Sequence, residues 1–506
     1  VVAGMMGSSG EAWPPEGHTA RLQAYARNAA LYLGQHEDVF VKSIYGGDWA
    51  GKWRQDASHA YITVNLCGAL TRLLSSRLFG EPATVSAPDG EEATQAFIDN
   101  LIARDNLRKM HLQAAVTGSY RGDVVLKVYS PDGRTVRVGA VNPACWFPEV
   151  SPLNANEIAA CNIDQVLSRG EKNYLWRERH ELRGGEGWIV NSLFQLSGDA
   201  RSGYSFDAEK DRRDLSIIPE LADPQVTPEE QATGLDSLPI VHIPNIATDE
   251  QLYPGLGTTL YGMSDYAGTE SLQAELNDRI TQEAEVLSEF TIPWVVGPPI
   301  QDEKGEIDMR RKYLPTERLD DVNLEMLVWD ASLSAVIDAI RSRKQEYAAV
   351  TGIDIGALIP PESGGPISGR ALKLSQAPTQ TVVRSRQMTY GPGLQQIYAL
   401  ATQLANSPMV QFAGDAKPLP LAPQDITVTF QDGLPSDEYE DAQIQTMRLD
   451  AGAQELAAAL AAMDGLTEAE AQAKADRIAA EMASNLPSPP ATLGPPYTQV
   501  GPGAGS

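Results

Sequence analysis

Glu275, Asp278, Gln282, Glu285 and Glu289 recur three and four residues apart in a stretch without an internal proline, so a helix would set them in one line. Leu272, Leu276, Ile280, Ala284 and Leu287 recur at the same spacing on nearly the opposite side. The pattern predicts a helix over residues 261–290, roughly 45 Å long, with Arg279 as its only base. Taken alone, the two stripes describe an ordinary amphipathic helix with a solvated acidic face. Many other carboxylates are present, as in any acidic chain, and their spacing pairs none of them as an acid–base couple.

Other candidates for chemistry fail in turn. Gly364 to Arg370 (GGPISGR) has the glycine spacing of a phosphate loop, but Arg370 stands where lysine is needed and Ala371 where a magnesium-binding hydroxyl is needed. Gly255-Leu256-Gly257 lacks the third glycine of a dinucleotide fingerprint. Neither HExxH nor GxSxG occurs, and the six histidines have no metal-ligand spacing. Cys67, Cys145 and Cys161 form no CxxC pair and read as buried free thiols. The reading calls for no enzyme activity, no metal and no cofactor.

Composition bounds the rest. The 506 residues, 42% hydrophobic, suffice for roughly two to four domains, and no apolar run approaches the roughly 20 residues of a membrane span. The first 13 residues lack the marks of a signal peptide, so the expectation is a soluble protein. A net charge of −27 argues against a protein that grips DNA through a basic surface. It agrees equally with a passage that repels DNA from every side and with acid that serves solubility alone.

The elements that would position these residues follow from periodicity. Leu22, Tyr25, Ala29 and Leu33 mark a first helix, and further helices are predicted over 60–78, 91–103 and up to Val116. Strands are predicted over 122–129, 134–141, 174–182, 188–196 and 238–244, with a polar surface excursion over 198–238. After the acid-striped helix comes a small insertion over 292–329, in which Trp294, Val295 and Val296 are apolar and Arg310, Arg311 and Lys312 form a basic cluster. A second helix follows over 332–350, then a Gly/Pro loop that includes Ile359, Pro360, Pro361, Glu362, Ser363, Gly364 and Gly365. A helical stretch over 368–406 is expected to be interrupted near Pro378 and at Gly391-Pro392-Gly393. A lone strand over 426–430 should pair back onto the earlier sheet, and an Ala-rich helical region after Pro435 precedes a flexible tail. The fold class is α+β, predominantly helical.

The order of these parts resembles the portal (head-to-tail connector) family of tailed double-stranded DNA phages. Local segments carry the resemblance: Leu78-Phe79-Gly80-Glu81-Pro82, residues 118–129 (GSYRGDVVLKVY), Val141-Asn142-Pro143 with Phe147-Pro148, Tyr261-Gly262-Met263-Ser264-Asp265, Leu276-Asn277 and Ile367-Ser368-Gly369-Arg370-Ala371-Leu372. The resemblance implies a portal-like subunit with a wing (1–260), a stem helix (261–291), a clip (292–329), a second stem helix (330–350), a tunnel loop (351–370), a kinked tunnel helix with a wing return strand (371–434), a helical crown (435–485) and a flexible tail (486–506). It leaves 198–238 unassigned.

It further implies a homo-oligomeric ring of twelve subunits around double-stranded DNA, at one capsid vertex of the virion after assembly in the host cytoplasm. Terminase, the major capsid and scaffold proteins and a head-completion adaptor are the implied partners, with no membrane. On that reading Glu275, Asp278, Gln282, Glu285 and Glu289 line the channel, residues 359–365 form the tunnel loop, and Trp294, Val295, Arg310, Arg311 and Lys312 lie at the clip interface. Another acidic phage structural protein (a scaffold or minor capsid component), or a packaging-associated enzyme, stays open as an alternative.

Overall fold

The computed structural model describes residues 11–41, 61–199, 203–223, 227–291, 294–297, 313–315, 325–327, 334–358, 374–414, 417–431, 438–452, 455–464 and 468–485. The chain divides into two compact units, one of Val1–Pro366 with Lys373–Gly433, the other of Ile367–Leu372 with Leu434–Ser506. Helix outweighs strand, and the class is mixed α+β as expected.

The first unit begins with strand β1 (Glu11–Trp13) and helix α1 (Thr19–Tyr32). The buried positions of α1 are Arg21, Tyr25, Asn28 and Leu31, while Leu33 is 66% exposed at its C-cap. The inward stripe is thus rotated from the expected Leu22 and Leu33, because Arg21 finds carbonyl partners inside. Helix α2 (Leu66–Phe79) starts six residues later than predicted. Asn65 caps it by accepting from Gly68 N at 2.7 Å, and residues 61–65 run outside any helix. Strand β2 (Thr84–Ser86) and helix α3 (Glu92–Arg104) follow. Helix α4 (Leu107–Arg121) runs five residues past Val116 and ends at Gly122, whose φ of 94° suits glycine alone.

Strands β3 (Asp123–Tyr129) and β4 (Arg137–Val141) match the predicted pair. Then β5 (Trp146–Ser151), β6 (Asn154–Arg169), β7 (Lys172–Arg183) and β8 (Glu186–Asp199) form an antiparallel meander. The 16-residue β6 escaped prediction because its sequence is polar. Its buried Asp164 takes Arg177 Nε and Nη2, both at 3.0 Å, so the sheet satisfies in pairs what the hydrophobic pattern would forbid.

The expected surface excursion is instead an edge cover. Strands β9 (Gly203–Phe206), β10 (Arg212–Arg213) and β11 (Glu230–Ala232) pair in turn with the free side of β8, and β1 pairs with β9. Leu215, Ile218 and Leu221 pack on Tyr174 and Leu193, which is why so polar a segment stays ordered. Strand β12 (Ile240–Pro244) joins β3 and β4 in a separate sheet of order β12-β3-β4. Lys127 on β3 and Glu178 on β7, 2.6 Å apart, tie the two sheets; burial alone would raise the Glu178 carboxyl, but Lys127 and His180 hold it down to about 2.

Helix α5 (Glu270–Thr291) begins nine residues after the predicted start, because the chain before it is held by Ser119 of α4 and Asp123 of β3. Strand β13 (Trp294–Gly297) lies between β14 (Tyr313–Pro315, parallel) and β15 (Glu325–Leu327, antiparallel). Helix α6 (Ser334–Thr351) returns along α5, and a one-turn helix spans Ile355–Leu358. Helix α7 (Ala377–Asn406) is continuous for 30 residues where interruptions were expected. Pro378 sits in its first turn, where no N–H bond is lost, and Gly393 lets Pro392 pass with the helix close against β12: a Cβ there would meet Ile243 Cγ1 at 2.5 Å. Strand β16 (Thr427–Thr429) pairs with β2, not with the larger sheets.

The second unit contains α8 (Glu438–Asp450), α9 (Leu456–Asp464) and α10 (Glu468–Asn485). Ala459, Ala471 and Ala475 are its buried apolar residues among those described. The predicted flexible tail lies outside the described residues.

Candidate functional site

Two of the segments quoted for the family resemblance, 118–129 and 261–265, meet at the foot of α5. Gly122 and Gly262 stand back to back: a Cβ on the first would come within 2.2 Å of Gly262 O, and one on the second within 2.3 Å of Gly122 O. Asp265 N and Ser264 Oγ donate to Ser119 O at 2.8 and 3.0 Å, and Asn245 N donates to Gly122 O at 2.7 Å. Asp265 N–H is thus spent on Ser119 O and not on Tyr261 O, the bond a helix starting at 261 would make.

Below this joint lies a buried ionic knot. Asp123, fully buried, accepts from Tyr25 OH, from Gly262 N at 2.9 Å and pairs with His242 Nε2 at 2.7 Å. Arg21 donates to Pro143 O at 2.8 Å and Trp146 O at 3.0 Å, and its guanidinium lies 5.0 Å from the Tyr261 ring centroid. Burial, with Arg21 beside it, lowers His18 to about 4, and burial pushes the Tyr25 and Tyr261 phenols up. Burial likewise drives Cys67 and Cys161 up to about 12, so these thiols are inert; Cys145 is only half-buried, not buried as expected. Asp265 takes Asn245 Nδ2 at 3.0 Å and Arg386 Nη2 of α7 at 2.6 Å. These groups are packed away from water and hold position.

Sequence reasoning missed the face by which α5 is attached. Gln273, Asn277 and Thr281 are all buried, one helical turn apart. Ile62 N donates to Thr281 Oγ1 at 3.0 Å and Val64 N to Asn277 Oδ1 at 3.1 Å, while Gln273 Nε2 donates to Val64 O at 2.8 Å. Asn277 Nδ2 also reaches His36 Nδ1 at 2.9 Å, and His36, its pKa lowered by burial, holds Leu31 O with the other ring nitrogen. The i, i+4 repeat of amide and hydroxyl side chains beside the Leu stripe was the available signal. Leu276 is buried in the main core, whereas Leu287, farther out on the same stripe, is 44% exposed.

Of the predicted acidic stripe, three side chains fall among the described residues, none of them fully buried. Glu275, its side chain 40% exposed, pairs with Arg279 Nε at 2.8 Å; Asp278 is half-buried; Gln282 is exposed and accepts from Arg279 at 3.5 Å. Glu285 and Glu289 belong to the same helix, but their side chains lie outside the described residues. Trp294 and Val295 lie on β13, whereas Arg310, Arg311, Lys312 and the loop residues Ile359, Pro360, Pro361, Glu362, Ser363, Gly364 and Gly365 are outside the described residues. Among the described residues no group of three or more His, Cys, Asp or Glu is arranged to hold a metal, and no helix is long and apolar enough to cross a membrane.

The chain belongs to the phage portal protein family described as SPP1 Gp6-like, which matches residues 13–486. This is a structural, non-enzymatic family. No curated protein matches the chain. Among solved structures it is similar to a chain of the virion of a native gene transfer agent particle, at 10% identity and a TM-score of 0.41, over 79% of this chain and 89% of that one. Chains from two neck structures are similar at 11% identity: one of the native particle computed with C12 symmetry (TM-score 0.38, 78% of this chain and 89% of that) and one of the empty particle computed with C6 symmetry (TM-score 0.43, 84% and 98%).

Proposed function

We propose that this portal protein is the repeating subunit of a closed ring, of twelve copies, through which double-stranded DNA enters and leaves a virus head. Residues 1–260 with the return strand near 427 are the wing, α5 and α6 the stem, 292–329 the clip, 351–370 the tunnel loop, 371–434 the tunnel helix leading to that strand, and 435–485 the crown. The ring sits at one capsid vertex of the virion, having assembled in the host cytoplasm with capsid and scaffold proteins. There it docks the terminase and later the head-completion adaptor.

The observation that carries this reading is the division of α5. Its inner face is bonded into its own subunit through Gln273, Asn277 and Thr281, which leaves the Glu275–Gln282 side to a surface outside the subunit. Facing a lumen, such a row repels phosphate from all sides and leaves the duplex no adhesive point. With a Debye length of about 8 Å at physiological salt, the effect acts only where DNA passes close.

Negative-stain microscopy of the purified chain should reveal rings with a central hole. Changing Glu275, Asp278, Glu285 and Glu289 to Lys should leave rings intact, make them bind duplex DNA with a steep salt dependence, and slow packaging. Normal packaging by that variant would remove the channel assignment.

A further inference from the structure

The long helix α7 carries a stripe that is exposed among the described residues. No Asp or Glu occurs from residue 363 to residue 414, in a chain of net charge −27. Within that stretch Leu374, Pro378, Thr381, Arg384, Met388 and Pro392 all point outward, three or four positions apart, over more than about 20 Å. Met388 is 77% exposed and Leu374 76%. The opposite side of the helix, with Val383, Tyr390, Leu394 and Ile397, is buried in the core.

The chemistry of the stripe selects a protein over a nucleic acid. Arg386 is committed to Asp265, so Arg384 is the one cation on α7 without an ion pair among the described residues. Thr381 donates its hydroxyl to Ala377 O and Ser385 its own to Val382 O, so neither presents a free donor. A phosphate backbone needs several cations in a row. Arginine and methionine together, with acids excluded, are what protein interfaces enrich.

A fitting counter-surface exists on the same chain. Helix α5 has six carboxylates against the single Arg279. Glu283 is half-buried and makes no ion pair among the described residues; one turn further, Leu287 is 44% exposed. Helical periodicity sets Glu283 and Leu287 on the side of Leu276 and Ile280, away from the acidic stripe, so occupying them leaves that stripe open. Tyr347 late in α6 lies beside Thr269 at the foot of α5, so the two packed helices are antiparallel, and Ile337, 45% exposed, falls along the outer half of α5.

Resting on the ring proposed above, we infer that the α7 stripe of one copy packs on the outer flank of α5 and α6 of the next, with Arg384 meeting Glu283 and Met388 meeting Leu287 and Ile337. Two different patches on one molecule make a head-to-tail contact, the kind that generates rings.

A photo-crosslinking residue introduced at Met388 of the full chain should give ladders of covalent multimers whose linked peptides come from 279–291 or 334–341 of another copy. Arg384→Glu should lower the ring fraction at limiting concentration at least tenfold with an unchanged melting temperature, and adding Glu283→Arg should restore rings. Crosslinks to DNA, crosslinks elsewhere, or undiminished rings from Arg384→Glu would each overturn the contact. Wild-type rings with no such crosslink would sink this contact alone, whereas a wild-type chain that never forms rings would sink the ring reading itself.

Discussion

At the foot of α5, Asp123 and Asp265 are buried and each is shared among several partners; along its outer side, Glu275 and Gln282 meet water with only Arg279 beside them. The helix and the joint at its foot therefore carry polar side chains under two regimes. In the interior a lost partner leaves a group that nothing else can satisfy, whereas outside water replaces it at once. The buried set fixes where the helix goes, and the exposed set is free to answer to whatever passes it. A polar residue's burial, more than its type, separates architecture from function here.

The contrast can be broken most forcefully at Arg21. Arg21→Ala removes a buried cation held by two carbonyls and should cost about 3–5 kcal/mol in urea unfolding; a loss below about 1 kcal/mol would mean that the knot does not hold the fold. Asn277→Leu should cost about 2 kcal/mol, because Val64 N and His36 Nδ1 lose their partner. Faster amide exchange at Ile62 and Val64 but not in β3 would locate that loss.

Acid should discriminate next. His18 and His111 are each lowered to about 4, His111 by burial and His18 by burial and then Arg21, so the unfolded chain binds protons that the folded one refuses. Their contribution is intact above pH 6.5 and is lost as pH falls from about 6.5 to about 4. Gln at both positions should flatten stability across that window; a slope unchanged from wild type would refute it. Glu178, held down to about 2, acts only below the ordinary carboxylate range. The smallest effect is expected outside: changing Glu275, Asp278, Glu285 and Glu289 to their amides should shift stability by less than about 1 kcal/mol. A larger loss in urea unfolding would mean that the stripe is structural.

These outcomes also explain what could be read from the chain alone. Helices with apolar residues four apart, such as Leu66, Leu70, Leu74 and Leu78, were legible because burial and periodicity coincide. Strand β6 and the segment over 203–232 were not, because cross-strand partners such as Arg177 for Asp164 are invisible in a single stretch of sequence. The start of α5 was misread for the same reason: what stops the helix at 261–269 is Ser119 and Asp123, more than a hundred residues away. The acidic row was legible as a pattern, and its outward side follows from the hydrogen-bond ladder on the opposite face.

The Asp265–Arg386 pair, 121 positions apart, has a consequence in chain entropy. It closes a loop that contains α5, the small sheet of β13 to β15, α6 and the first turns of α7. Closure of a flexible loop depends only logarithmically on its length, so doubling the intervening chain would raise that term by only about 0.6 kcal/mol. The neck is fixed while the length beyond it is nearly unconstrained, so residues can be added between α5 and α6 without reworking the body that anchors them.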